Sequence, residues 1–221
     1  MQIVPNFILR ARKTKTLLSL APLQDSVLPP NSYILGLAQD GLPVIANICQ
    51  SPPILAASDD TASLQALLET IAATARFPAR QTSIGAVIVS RTPGRWQGIH
   101  PKTAAISPKR LGDILQYHIE THPSRRLPIL LDNLGAGWNI EYRALSLLAN
   151  APQFHLVVTT SPQHACRFRS LFDKILVGEI RDFPTLFDLT APTTLTSSPT
   201  NGQFAFRHQS RWLFFTPAIQ H

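Results

Sequence analysis

The sequence predicts an α/β protein with a mostly parallel central sheet. Short, uninterrupted apolar runs recur at Ile54-Leu55-Ala56-Ala57, Ile84 to Ser90, Leu127 to Asp132 and Phe154 to Thr160. Continuous rather than alternating apolarity is the mark of strands buried on both faces. Between these runs lie segments with apolar residues three and four apart, the spacing of helices that bury one face. Strands alternating with helices assemble into a parallel sheet covered by helical layers.

The elements follow in order. Tyr33 to Ala38 and Leu42 to Ile48 read as two strands joined at Gln39-Asp40-Gly41, because Asp-Gly is a strong hairpin turn. The strand Pro53 to Ala57 runs through a polar turn into a helix with Leu64, Leu67, Leu68, Ile71 and Ala75 on one face, ending before Pro78. After the strand Ile84 to Ser90, a loop with Pro93-Gly94-Arg95-Trp96 leads to Ser107-Pro108, an N-cap followed by proline at the first helical position. That helix stops at His122 before Pro123. Beyond the strand Leu127 to Asp132, Asn139 caps a helix with Ile140, Ala144, Leu147 and Leu148 on one face. The strand Phe154 to Thr160, a basic helix from Gln163 to Phe172 and the strand Lys174 to Gly178 come next. Thr190 to Asn201 reads as a loop, and Phe204-Ala205-Phe206 with Trp212 to Phe215 as a closing hairpin.

At 44% hydrophobic and 15% charged residues, the 221-residue chain is a folded protein rather than a disordered one. Residues 1–31 read as a basic, proline-containing lead-in and 32–221 as the folded domain. Lys and Arg outnumber Asp and Glu by 20 to 13, and a net charge of +7 suits a polyanion such as DNA. No apolar run approaches the roughly 18 residues of a membrane span. Arg10, Arg12, Lys13 and Lys15 follow the first apolar patch, the reverse of a secretory signal, so a cytoplasmic protein is expected. Cys49 and Cys166 have neither metal nor redox spacing.

The turn after Ala57 carries the most information. Strand, turn and helix N-terminus form a scaffold that presents backbone N–H groups to an anion. A phosphate-binding loop built on it reads G-x-x-x-x-G-K-[ST], with Lys on the β/γ-phosphates and a hydroxyl on Mg²⁺. Here the positions are Ser58, Asp59, Asp60, Thr61, Ala62, Ser63, Leu64 and Gln65. Glycines and Lys are missing and two carboxylates are added. Aspartate at a helix N-terminus is explained as a cap that takes the anion's place.

Several segments together resemble the motor domain of the FtsK/HerA group of DNA-translocating P-loop ATPases, over roughly residues 33–217. Leu35-Gly36-Leu37-Ala38-Gln39-Asp40-Gly41-Leu42-Pro43-Val44 is similar to the hairpin ahead of the family's Walker A strand. Pro128-Ile129-Leu130-Leu131-Asp132-Asn133 resembles its Walker B strand, which in active members ends in Asp-Glu. Ala144 to Ala149 looks like its Ala- and Leu-rich helix. Phe154 to Pro162 is similar to the strand carrying the sensor Gln, and Phe172 to Leu176 and Gly202-Gln203-Phe204 look like its last core strand and terminal hairpin. The resemblance implies a P-loop NTPase-like fold of RecA/FtsK-HerA type, with antiparallel hairpins at the edges. It also implies a subunit interface and a DNA-facing surface, because the family's motors are rings.

Residue by residue, the departures remove the chemistry. Leu64 stands at the phosphate-binding Lys and Gln65 at the Mg²⁺-bound hydroxyl. Asp132 retains the Walker B carboxylate, but Asn133 replaces the Glu that would activate water, and an amide is no base at neutral pH. Ser161 stands where the sensor Gln is expected. The implied reading is a catalytically inactive domain without cofactor, metal or catalytic residue, which binds DNA or assembles with copies of itself or an active relative. The alternatives are a divergent ATP- and Mg²⁺-dependent DNA translocase, or a protein-interaction module on the same scaffold.

Basic residues available to DNA phosphates are Arg10, Arg12, Lys13, Lys15, Arg91, Arg95, Lys109, Arg110, Arg125, Arg126, Arg167 and Arg169. Trp96 beside Arg91 and Arg95 suits stacking on a base or on a neighbouring subunit, or an anchor in the core. His118 and His122, four apart, have chelating spacing; with no third ligand evident, they read as a polar helix end. No G-x-S-x-G elbow supports a hydrolase.

Overall fold

Strands from both ends of the domain join one ten-stranded sheet. The computed structural model describes residues 28–75, 85–99, 102–135, 138, 140–192, 195–208 and 211–218. In chain order the strands are β1 (Ser32–Ala38), β2 (Pro43–Asn47), β3 (Ile54–Ala57), β4 (Ala86–Val89), β5 (Thr103–Ile106), β6 (Leu127–Leu131), β7 (Phe154–Thr160), β8 (Lys174–Val177), β9 (Phe204–His208) and β10 (Arg211–Thr216). Their order across the sheet is β2-β1-β10-β9-β8-β3-β7-β6-β4-β5. The six strands from β8 to β5 run parallel, and the hairpins β1–β2 and β9–β10 extend the β8 side antiparallel.

The helices are α1 (Thr61–Thr74), α2 (Leu111–Thr121), α3 (Tyr142–Asn150), α4 (Pro162–Phe168) and α5 (Phe183–Thr190). Period-two alternation divides the strand side chains between two cores. Leu55, Val87, Val89, Ile129, Leu131, Leu156 and Val158 face the layer of α2, α3, α4 and α5. Ile54, Ala56, Ile88, Leu130 and Val157 face the opposite side, where Leu64, Leu67, Leu68 and Ile71 of α1 pack with Trp96. Every residue of β3, β4, β6 and β7 is buried, the physical origin of the uninterrupted apolar runs.

Several expectations need correction. The buried stripe of α3 is Leu145, Leu148 and Ala149, while Ala144 is exposed and Leu147 is 67% exposed. The helix starts at Tyr142, and its own 3-4 spacing selects a neighbouring stripe; Asn139 lies outside the described residues. Ser107-Pro108 opens a 3₁₀ turn, Pro108–Arg110, that leads into α2, without a side-chain cap from Ser107. The edge strand β5 reads Thr-Ala-Ala-Ile, too short and alanine-rich to announce itself. Helix α5 was also unanticipated, and its last residue, Thr190, lies in the segment expected to be loop. Its signal is present, since Asp182 caps it by accepting from the Thr185 N–H at 3.0 Å with Pro184 in the first turn.

Candidate functional site

Because β3, β7 and β6 are parallel neighbours, their carboxyl ends lie at one edge, with β7 between the other two. Ser58, Ser161 and Asp132 follow those ends and share that edge, as expected. The chain leaves β3 toward one face of the sheet and β7 toward the other, since α1 and α4 pack on opposite cores. Such divergence between adjacent strands is where open α/β sheets form a ligand crevice.

At this edge the loop after β3 is bonded to the protein's own groups. The Ser58 N–H donates to the Thr160 carbonyl at 3.3 Å and ties the two loops together. The buried Ser58 hydroxyl donates to the Glu179 carbonyl at 3.2 Å and accepts from the Asp60 N–H at 3.0 Å. The Asp59 N–H donates to the same Glu179 carbonyl at 2.7 Å, and the Asp59 carboxylate accepts from the Arg181 N–H at 2.9 Å. Asp60 is the N-cap of α1: its Oδ1 accepts from the Ala62 N–H at 3.0 Å and its Oδ2 from the Ser63 hydroxyl. Both carboxylates therefore turn onto protein N–H and O–H groups.

Thr61 and Ala62 form the exposed start of α1, whereas Leu64 is 2% exposed and belongs to the core beneath the loop. At the position a phosphate-binding Lys would need, the backbone directs the side chain inward, which suits an apolar residue. The Gln65 amide oxygen accepts from Arg95.

The Asp132 carboxylate accepts from the Ser90 hydroxyl at 2.8 Å and from the Trp96 indole N–H at 2.9 Å, both on Oδ2. Asn133 has φ of 52°, in the left-handed region that asparagine tolerates better than glutamate, and its N–H donates to Thr159 Oγ1 at 2.9 Å. The Ser161 hydroxyl lies 2.8 Å from His164 Nδ1. Sequence reasoning missed Ser90, Gly178, Glu179 and Arg181, which fix this edge. Glu179 and Arg181 bind the loop chiefly through backbone groups, which leave no residue-type signature.

The basic residues divide into three sets. Arg10, Arg12, Lys13 and Lys15 lie outside the described residues. Arg91, Lys109, Arg110 and Arg167 are exposed, as is Arg95, whose guanidinium is held by Gln65 and stands 6.0 Å from the Trp96 ring centre. The remaining three are half-buried. Arg126 is half-buried and donates Nε to the Phe154 carbonyl at 2.7 Å and Nη1 to those of Ile48 and Cys49 at 2.9 and 3.1 Å. Arg169 donates to the carbonyls of Leu189 and Ala191 at the end of α5. Arg125 is half-buried, and burial pulls its pKa below the ordinary value.

Trp96 is 1% exposed, so the core rather than a base holds its ring. His118 is buried, with Nε2 2.8 Å from the Arg125 carbonyl and its ring stacked on His122. Burial, ahead of the nearby cations, lowers its pKa. Among the described residues no cluster of three or more His, Cys, Asp or Glu is placed to hold a metal, and no helix is long and apolar enough to cross a membrane.

No protein-family model and no curated protein matches the chain. Solved structures do. The cytoplasmic domain of EssC superposes on 98% of this chain with a TM-score of 0.71 at 12% identity. The cytoplasmic domain of the Thermomonospora curvata type VII secretion ATPase EccC covers 93% of it, with a TM-score of 0.66 at 18% identity. ATPases 2 and 3 of EssC from Geobacillus thermodenitrificans cover 92%, with a TM-score of 0.63 at 11% identity. The chain spans 49%, 28% and 44% of those three chains, less than half of each. At such identities the likeness establishes the fold, a P-loop NTPase-like α/β domain.

Proposed function

We propose that the chain is a catalytically inactive FtsK/HerA-like domain, a pseudo-ATPase that needs neither nucleotide nor metal and serves as a DNA-binding or assembly subunit. One observation carries this reading. The turn Ser58 to Gln65, at the crevice where a nucleotide would lie, turns both of its carboxylates onto the protein's own donors. Asp60 takes the N–H of Ala62, the second residue of α1, Ser58 is tied to Thr160 and Glu179, and Leu64 is buried. Phosphoryl transfer is catalysed by positioning and charge stabilisation, and the turn itself carries two carboxylates and no Lys. Its partner is another copy or an active relative, because EssC and EccC carry ATPase modules of this fold within longer chains. The exposed Lys109, Arg110 and Arg167 supply contacts to DNA phosphates without reading bases.

Isothermal titration with MgATP is the test, and no binding is the expected result. A dissociation constant below about 100 μM, equivalent to roughly 5.5 kcal/mol, would replace this reading with the divergent translocase. DNA retention decides between the two roles. Absence of binding at roughly 50 mM salt would move the chain to the protein-interaction class.

A further inference from the structure

The two end strands of the sheet differ in kind. At one end β2 begins with Pro43, and its neighbour β1 breaks register between Ile34 and Gly36. Proline and such irregularities blunt an edge strand against pairing with another chain. At the other end β5 reads Thr103-Ala104-Ala105-Ile106, in unbroken register with β4 and without proline, charge or bulge.

The hydrogen bonds of β5 fix which of its backbone groups stay open. The Ala86 N–H donates to the Lys102 carbonyl at 3.3 Å and the Ser90 N–H to the Ile106 carbonyl at 3.0 Å. In a parallel ladder alternate residues address the same neighbour. Lys102, Ala104 and Ile106 therefore face β4, and Thr103 and Ala105 turn their N–H and C=O groups outward. Among the described residues none of these outward groups has a partner. The strand brings half-buried Ala104 and Ile106 to the core layer of α2 and half-buried Ala105 to the other layer, so both faces of the edge are apolar. The flanking charge is positive. Residues 85–113 include five Lys and Arg and a single carboxylate, that of Asp113. Exposed Lys109 and Arg110 form the turn that follows β5.

We propose that β5 receives an extended, acidic segment of a partner protein as an added strand. Main-chain hydrogen bonds to Thr103 and Ala105 supply the pairing, and alternate side chains of the incoming strand extend the two apolar faces. Its carboxylates meet the charge of Lys109 and Arg110. A second copy of this chain would instead bring a second Lys109 and Arg110 to the junction, and facing like charges destabilise a strand pair. Strand pairing is something DNA cannot supply, so the inference does not depend on whether the chain binds DNA.

The experiment titrates the full chain by calorimetry with a short, end-blocked peptide of alternating Glu and Val. Its controls are the same peptide with Lys in place of Glu, and the Glu–Val peptide N-methylated throughout. The acidic peptide is expected to bind below about 1 mM, and the Lys peptide not measurably. N-methylation removes the peptide's donors and should weaken binding at least about tenfold. Ala105→Pro deletes an outward donor and leaves the ladder to β4 intact. It should weaken the peptide by a similar factor at an unchanged melting temperature, whereas Ala104→Pro, which deletes a donor facing β4, should melt earlier. Should Ala105→Pro fail to fold, the N-methylated peptide decides alone, since it leaves the protein untouched. No binding of the acidic peptide up to about 10 mM would overturn the proposal, as would undiminished binding of the Lys or the N-methylated peptide. A dimer of the chain alone that Ala105→Pro dissociates, seen by sedimentation, would also overturn it and give the edge to a second copy.

Discussion

Gly178 lies so close to Ser58 that a Cβ at position 178 would stand 2.7 Å from the Ser58 Oγ and 2.8 Å from its Cβ. Ser58 is thereby packed between the exit of β8 and the Thr160 carbonyl. Gly178→Ala is therefore expected to cost about 1–3 kcal/mol as an overpacked site. Adding Ser58→Gly removes the two closest atoms and leaves Phe204 Cε1 at 3.1 Å, so the double variant should be less destabilised than the two single losses summed. Urea unfolding of the four proteins measures this coupling.

Asp132 holds the other side of the edge through Ser90 and Trp96. Asp132→Ala would leave a buried indole N–H without its acceptor, at an expected cost of about 1–3 kcal/mol. Asp132→Asn keeps an acceptor oxygen and should lose less. If Asp132 instead served chiefly to hold a metal, both variants would unfold at the same urea concentration as the parent.

The sequence was most legible where periodicity and burial coincide. The seven residues Phe154–Thr160 form a strand with the expected bounds, since each is buried and apolar or β-branched apart from His155. The carboxyl edge was legible too, because parallel strands bring Ser58 and Asp132 to one side whatever their separation in the chain. Its internal bonding was not: the loop is held by the Glu179 carbonyl and Arg181 N–H from about 120 residues away, and every residue type carries those groups. Arg126 shows the converse. As a sequence feature it is a surface cation, yet three carbonyls within 3.1 Å make it a strut between the turn after β2 and the start of β7.

Stability should fall in acid through His155. Its Nε2 lies 2.6 Å from the Tyr33 hydroxyl in the core, and burial holds the native pKa down at about 3. An unfolded His takes up its proton near 6.5. Between these values the unfolded chain binds more protons than the native one, so stability is complete above about pH 6.5 and declines toward pH 3. The slope from this one group is at most about 1.4 kcal/mol per pH unit. His155→Leu should flatten the profile between about pH 4 and 6, measured by urea unfolding across that range. An unchanged profile would assign the acid sensitivity elsewhere.

DNA affinity should depend on salt through the exposed cations and not through those bound to carbonyls. Each phosphate neutralised on duplex DNA contributes about −0.9 to the log–log slope, and a slope between about −3 and −6 is expected. Lys109 and Arg110 lie together in the exposed turn before α2. Replacing both with Ala should make the slope shallower by roughly 1.8, two contacts' worth, without changing the melting temperature. Arg169→Ala should do the reverse, because its guanidinium closes the last carbonyls of α5. That variant should melt earlier and keep the parent's slope. Retention on duplex DNA at several salt concentrations, beside thermal melts of the same proteins, separates the two behaviours. A slope that responds to Arg169 and ignores Lys109 and Arg110 would reverse the assignment of which face meets DNA.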